Sequence, residues 1–451
     1  EKHGKIKRKK LLVLLAVVLG FAAAYVAYFL ILEYKVHSKA REIRSGGYPA
    51  SPEELEKWYV EPPLKNAAPI YEEAFGKICA RPENVDEKNL MVCGSAEIPP
   101  VGTAIPGIMM ENAKAYLVAN AKSLELIHKA AEAGTCRFPV EISDAERSLA
   151  YHSKLRQAAR LLYLQTVVAT EEGDVRKAFD AALDSCKLSR SLENEPLPDS
   201  LIIQMALEHY ALDSVERLIS KGCLDENQLK LIGQETASFE QMRPLERAYA
   251  GERSLVLSEY YLEEFMEYAI YDFPGFVRKS PFMKKTVFFL FDASCLRQLN
   301  NLSCIGFFAE LVDLAKGKPE NMMKSMENIE SRIKTLPWYL FALRIYMPHL
   351  CAIAEKKIIL VSRARVVRTA AAIEAYKIKN GKVPDSLSML VPGQMGEVPA
   401  DPVDGGSIRY FKTEKGFLVY STGADGMENY GNPGSNRGFS AGEDFSINVG
   451  Y

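Results

Sequence analysis

The chain has 451 residues, enough for two or three folding units. Its 56 Lys and Arg against 58 Asp and Glu give a net charge of -2, which excludes a general nucleic-acid binder, since that class needs a basic excess. Apolar residues make up 48% and aromatics 10%, so a sizeable core is available and wholesale disorder is excluded.

Residues 11–32 carry no charge. As a helix they reach roughly 33 Å, enough to cross a bilayer core. Lys2, Lys5, Lys7, Arg8, Lys9 and Lys10 precede them, while Lys35, Lys39, Arg41 and Arg44 follow, diluted by Glu33 and Glu42. The bias predicts a single pass with a cytoplasmic N-terminus and an exported body, periplasmic or extracytoplasmic. Tyr25, Tyr28 and Tyr34 are expected near the outer interface. The alternative is a cleaved signal peptide, whose apolar region is normally shorter and ends in a small-x-small site. The chain opens at Glu1 rather than Met, so residues ahead of it are expected. No later segment reaches spanning length, and the run Val287 to Phe291 is expected in the core.

Ser51-Pro52-Glu53-Glu54 supplies an N-cap, a Pro at the first helical position and a capping-box Glu. Residues 61–110 are rich in Pro and Gly and are expected to wrap the surface, with one short helix around 68–78. From 111 to 270 the pattern is helical. Leu155, Ala159, Leu162, Thr166 and Ala169 share one face; Val175, Ala178, Phe179, Ala182 and Cys186 continue it beyond Gly173-Asp174. Ile202, Met205, Leu212, Val215 and Ile219 start another helix that Gly222 stops. Arg160-Leu161-Leu162-Tyr163 through Glu171-Glu172-Gly173-Asp174 to Ala178 and Ala182 loosely resembles a tetratricopeptide-type hairpin, without a repeat of about 34 residues. The expectation is an irregular helical-repeat body of stacked hairpins. Residues 271–335 look less regular. A long helix then runs from about 338 to 379, with Pro348 as a possible break and Asn380-Gly381 as its stop.

None of the eight Cys form CxxC, so a zinc ribbon or thioredoxin motif is excluded. Cys79 and Cys93 bracket a polar loop and are the favoured disulfide pair in an exported body; free buried thiols are the alternative. The six His show no metal-ligand spacing, and the P-loop, GxSxG and dinucleotide fingerprints are absent. Glu171-Glu172 and Glu263-Glu264 are neighbours that point apart on a helix. Glu208-His209 is an acid-base candidate, with a satisfied surface His as the alternative. Arg147, Arg156 and Arg160 fall near one stripe and are expected in intramolecular ion pairs. These absences weigh against an enzyme without excluding one.

At the C-terminus, Ser386 to Pro392 reads as a short helix and 398–405 as a rigid loop. Ile408 to Thr413 and Phe417 to Ser421 alternate as strands joined by a hairpin at Glu414-Lys415-Gly416. Tyr376, Asn380-Gly381, Pro384, Leu387, Leu390, Pro399, Asp401-Pro402, Gly405, Tyr410 and Tyr420-Ser421 are followed by Gly423-Ala424-Asp425-Gly426. This order resembles the head of type II secretion major pseudopilins over residues 355–451. The N-terminus departs from that family: Gly4 is followed by Lys5-Ile6-Lys7-Arg8 rather than a prepilin cleavage sequence. The resemblance implies a small antiparallel-sheet head and a calcium-binding acidic tail. Its ligands would come from Asp425, Glu428, Asn429, Glu443 and Asp444, with a solvated turn as the alternative. Asp401 is read as a structural turn residue. The body also resembles an uncharacterised bacterial group of membrane-anchored helical proteins. Asn66 to Pro69, Cys136 to Pro139, Lys154 to Leu162 and Gly251 to Arg253 carry that likeness.

The expected architecture is therefore mainly α with a small C-terminal α+β module. It comprises a basic cytoplasmic segment (1–10), a spanning helix (11–32), a stalk (33–50), a helical body (51–335), and a long helix with the head (336–451). The expected function is membrane-anchored protein binding or scaffolding, possible in a calcium-dependent accessory of a secretion or pilus-like machine. An envelope hydrolase is the alternative.

Overall fold

The computed structural model describes residues 2–59, 65–142, 149–256, 278–423 and 445–449. It is mainly helical, with one long apolar N-terminal helix and a small antiparallel sheet near the C-terminus. In chain order the first helices are α1 (Lys2–Ser45), α2 (Pro52–Trp58), α3 (Ala68–Gly76), α4 (Gly107–Ala119), α5 (Ala121–Ala133), α6 (Tyr151–Glu172) and α7 (Val175–Ser189). Then come α8 (Pro198–Lys221), α9 (Glu226–Ala237), α10 (Arg243–Val256), α11 (Pro281–Ala293), α12 (Leu296–Ala315), α13 (Met322–Lys334) and α14 (Phe341–Asn380). Strands β1 (Arg409–Lys412), β2 (Phe417–Ser421) and β3 (Phe445–Val449) follow. The chain packs into two compact units. One combines Glu1–Trp58, Ala250–Glu310 and Ser331–Pro348; the other combines Tyr59–Tyr249, Leu311–Glu330 and His349–Tyr451.

In the first unit, α1 changes character along its length. Large apolar side chains from Leu11 to Ile31 face outward, with Phe21 at 74% exposure. By length and composition this part can cross a membrane. From Leu32 onward one side is covered, and Ala40 and Ile43 pack with Ala50 and Ile305. The cap of α2 forms at Ser51, whose Oγ accepts from the Glu54 amide at 3.3 Å. The Glu54 carboxylate returns to the Ala50 amide at 2.9 Å, one residue earlier than a strict capping box requires.

Two expectations are corrected here. The run Val287 to Phe291 is not core: it lies in α11, where Phe289 and Leu290 are 70% and 57% exposed and Phe291 is buried. Consecutive apolar residues encircle a helix, so packing on one side leaves the others uncovered. The stretch 271–335, expected to be less regular, contains three helices from Pro281 onward, punctuated by Ser294-Cys295 and by the turn before Pro319.

In the second unit, α6, α7 and α8 pack on one another, and α3 packs on α5. The stripe Leu155, Ala159, Leu162, Thr166 and Ala169 is buried as its spacing predicts, and so are Ala178, Phe179, Ala182 and Cys186. Gly173 and Gly222 end α6 and α8 at positive φ (77° and 61°), a conformation that costs other residues a Cβ clash. Pro198 stands in the first turn of α8, where its missing N–H is no loss. Phe138 stacks on Tyr151 with ring centroids 4.5 Å apart and joins Tyr71 and Phe75 in one core.

The helix α14 continues through Pro348 rather than breaking there. Ile358, Val361, Val367 and Ile373 are buried along it, and Gly381 follows at φ 72°. Residues 387–390 form a single 3-10 turn. The sheet order is β1-β2-β3, antiparallel throughout, with Tyr410 opposite Val419 and Val419 opposite Ile447. The hairpin agrees with its alternating pattern; β3 was not anticipated.

All eight cysteines are free thiols, which corrects the expected Cys79–Cys93 pair. That loop is fastened by hydrogen bonds instead. The fully buried Asn120 side chain accepts from the Cys79 amide at 2.8 Å and donates to its carbonyl at 3.1 Å. Asn112 accepts from the Asp86 amide at 2.7 Å.

Candidate functional site

A groove of about 730 Å³ lies among α4, α5, α6 and α7. Asn120, between α4 and α5, is held to the Tyr116 carbonyl at 2.9 Å as well as to Cys79, fixing that junction. Gly173 sets the turn from α6 into α7. The apolar lining includes Leu117, Val118 and Leu124, over a floor that holds Val168 and Ala181. Val118 is 77% exposed, far more than an apolar side chain on a packed helix pair requires.

The charged lining is acidic on balance. Glu125, Glu172, Asp174, Asp180 and Asp184 face three cations, Lys114, Arg176 and Lys177. Lys114 ties α4 to the end of α6 through Glu172 at 2.7 Å. Deeper in, His128 Nδ1 lies 2.8 Å from Asp184 Oδ2, and its Nε2 lies 3.6 Å from Glu132. The His128 ring is half exposed while Asp184 is 4% exposed. The hydrogen bond and then the charge of Asp184 raise the His128 pKa above its ordinary value. Burial pushes the Asp184 carboxyl up, against the pull of His128. The described lining holds no Ser, Thr or Cys. Chemically the groove offers an apolar strip beside carboxylates, a surface that suits a cation carried on an apolar stem.

Two other polar clusters lie in the same unit and are internally satisfied. Glu195, 3% exposed, accepts from Tyr59 at 3.2 Å, from Tyr151 and from Ser200. His152 Nε2 lies 3.2 Å from Ser200 Oγ and 3.7 Å from Glu195. The same imidazole nitrogen meets both neighbours, whereas a Ser-His-acid relay uses opposite nitrogens. Ser200 donates directly to the acid, so this is an acceptor hub. The second cluster centres on Asp401, which is fully buried. Its carboxylate accepts from Ser362 at 3.1 Å, the Val403 amide at 3.1 Å, Arg409 at 2.6 Å and the Thr422 amide at 3.0 Å. It thereby joins α14, the 399–408 loop and the end of β2.

The sequence-selected residues fall as follows. Glu208 and His209 are not brought together as an acid-base pair. Glu208 accepts from Gln204 at 2.8 Å and meets Lys357 at 3.5 Å, both fully withdrawn from water. His209 faces Arg363, whose Nη1 lies 3.1 Å from its Nδ1, and burial followed by that charge lowers its pKa to about 3. Arg160 donates to the Tyr210 hydroxyl at 3.0 Å rather than to a carboxylate. Arg147, Glu263 and Glu264 lie outside the described residues, as do the calcium candidates Asp425, Glu428, Asn429, Glu443 and Asp444. Among the described residues no group of three or more His, Cys, Asp or Glu is arranged to hold a metal ion. Asn66 and Arg137, from two separate motifs, do meet: the Asn66 side chain bonds the Arg137 amide at 2.9 Å and its carbonyl at 2.8 Å.

Sequence reasoning missed the groove. His128 and Asp184 are far apart in the chain, so no spacing rule links them. The one available signal was Val118, an apolar residue off the buried face of α4. Comparison with protein-family models, with curated proteins and with solved structures gave no match.

Proposed function

We propose that this chain is a single-pass protein of the bacterial inner membrane whose periplasmic body binds another protein. The basic residues ahead of α1 support a cytoplasmic N-terminus under the positive-inside bias. The observation that carries the binding role is the groove itself: an exposed Val118 beside an acidic wall around His128–Asp184. The partner it suits is a cationic amphipathic segment, with apolar residues along the strip and Lys or Arg against Asp180 and Asp184. On this reading the body is an irregular helical repeat that presents the groove as its recognition face. The C-terminal order of motifs supports a pseudopilin-like head, a link to secretion or pilus-like assemblies, and calcium held by Asp425, Glu428, Asn429 and Asp444.

A titration of the detergent-solubilised full chain tests the binding role. A labelled amphipathic peptide of Leu and Lys is compared with its Leu and Glu counterpart. The lysine peptide binds, weakens with salt, and is lost on Val118→Glu. Equal binding of both peptides, or binding that survives Val118→Glu, overturns the proposal.

A further inference from the structure

Leu32 marks the level at which α1 stops being bare and starts being packed: Leu30 and Ile31 are 60% and 52% exposed, Leu32 only 4%. If α1 spans a bilayer, as proposed above, this is where it leaves the hydrocarbon. Tyr25 lies two turns earlier, roughly 10 Å below that level. Its hydroxyl donates to the carbonyl of Ala293, the last residue of α11, at 2.6 Å. A few residues on, Gln298 of α12 donates to Glu33 at 2.8 Å, back at the boundary. The end of α11 is therefore pinned inside the outer half of a core about 30 Å thick, and the chain climbs out into α12.

The side chains of α11 suit that depth. Phe282 and Phe289, seven residues apart and so on one stripe, are 75% and 70% exposed, and Leu290 beside them is 57% exposed. Phe291 turns the other way and packs on Phe341 with ring centroids 5.5 Å apart. Arg278, Lys279 and Lys285 are exposed near the start of the helix, where long cationic stems reach headgroups. With 13 residues, α11 is too short to span. Two of its terminal carbonyls are satisfied within the protein: Ala293 by Tyr25, and Phe291 by the Ser294 amide at 3.3 Å and hydroxyl at 2.9 Å. Hydrocarbon demands that satisfaction, since it supplies no water to unpaired ends.

We propose that α11 is a second membrane contact, a short helix half-inserted in the outer leaflet beside α1, whose Phe282, Phe289 and Leu290 are covered by phospholipid acyl chains. The inference rests on α1 being the spanning helix.

The test uses the full chain, with Trp58 and Trp338 replaced by Phe, in phosphatidylcholine vesicles with or without brominated acyl chains. Single tryptophans are introduced as Leu19→Trp, Phe289→Trp or Phe282→Trp. The expected result is strong bromine quenching of Leu19→Trp and of Phe289→Trp, and shallower quenching of Phe282→Trp. Quenching of Leu19→Trp with neither α11 variant quenched overturns the inference and leaves the anchor standing. Blue-shifted but unquenched emission from both α11 variants also overturns it, because protein then covers the stripe. No quenching of Leu19→Trp overturns the anchor and, with it, the inference. All three substitutions replace exposed residues, so unchanged thermal unfolding separates lost insertion from lost folding.

Discussion

Asp184 and Asp401 are both withdrawn from water, at 4% and 0% exposure, yet they belong to opposite kinds of place. Asp401 meets donors from a helix, a loop and a strand, so its charge is spent inside the fold. Asp184 is paired with His128, a half-exposed ring on the wall of an open groove. A carboxylate surrounded by its own chain's donors holds architecture together. One whose main partner can be displaced from the solvent side retains capacity for a ligand.

The sharpest way to break that contrast is to remove each acid. Asp401→Ala leaves the Val403 and Thr422 amides without that acceptor and takes one of two carboxylates from Arg409, which keeps Asp404, while Ser362 keeps Ser421. It should cost about 2–3 kcal/mol in urea unfolding, the upper part of the range for leaving buried donors unsatisfied. Asp184→Ala should cost about 1 kcal/mol, since His128 can turn to water. Equal losses would erase the distinction.

Acid titration extends the contrast to His209. Its folded pKa of about 3 lies below the ordinary 6.5, chiefly through burial and then through Arg363. The unfolded chain therefore binds the proton first as pH falls. Stability should decline by up to about 1.4 kcal/mol per pH unit from near pH 6.5 toward pH 3. His209→Gln should flatten that limb of the stability curve; an unchanged slope assigns the acid sensitivity elsewhere.

The calcium candidates in the tail offer a third carboxylate set to place beside these two. If they hold the ion, thermal unfolding in calcium rather than chelator should gain roughly 2.7 kcal/mol at a hundredfold excess over the dissociation constant. Asp425→Ala and Asp444→Ala should each abolish the gain. No shift in the parent chain would leave the tail without a metal role.

The smallest effect belongs to His128. Its pKa is raised by Asp184, so the pair's contribution is full below pH 6.5 and lost as pH rises through the raised value. The ring is half exposed, and screening reduces the gain to a few tenths of a kcal/mol. The cationic peptide should bind more tightly above that transition, when the imidazole beside Asp180, Glu132 and Asp184 is neutral. His128→Asn should remove the pH dependence; if it persists, another group titrates in the groove.

Local signals carried much of the fold into the sequence. The helical spacing of α6 and α7, the Gly caps at 173, 222 and 381, and the alternation of β1 and β2 are properties of a few neighbouring residues. Strand β3 was legible in principle: Phe445, Ile447 and Val449 alternate with Ser446 and Asn448, but the Gly-rich stretch before them hid the pattern. The two units were not legible, because each draws on three separated stretches of chain. Nor was the groove, since Asp184 beside His128 and Glu172 beside Lys114 come from other helices. The exposure of Phe282, Phe289 and Leu290 depends on how α11 packs in the fold, which no window of sequence contains.

The sheet order has a consequence for biogenesis. The central strand β2 has one neighbour just ahead of it in the chain and the other at Phe445–Val449. Until synthesis has passed Val449, the far side of β2 is a row of unpaired amides and carbonyls over Val419 and Tyr420. A chain that has not yet reached Phe445, or is cut before it, therefore displays an open edge that β3 covers. Pairing with Phe445–Val449 closes that edge, and chaperones or proteases that grip open strands would separate chains lacking β3 from chains that carry it.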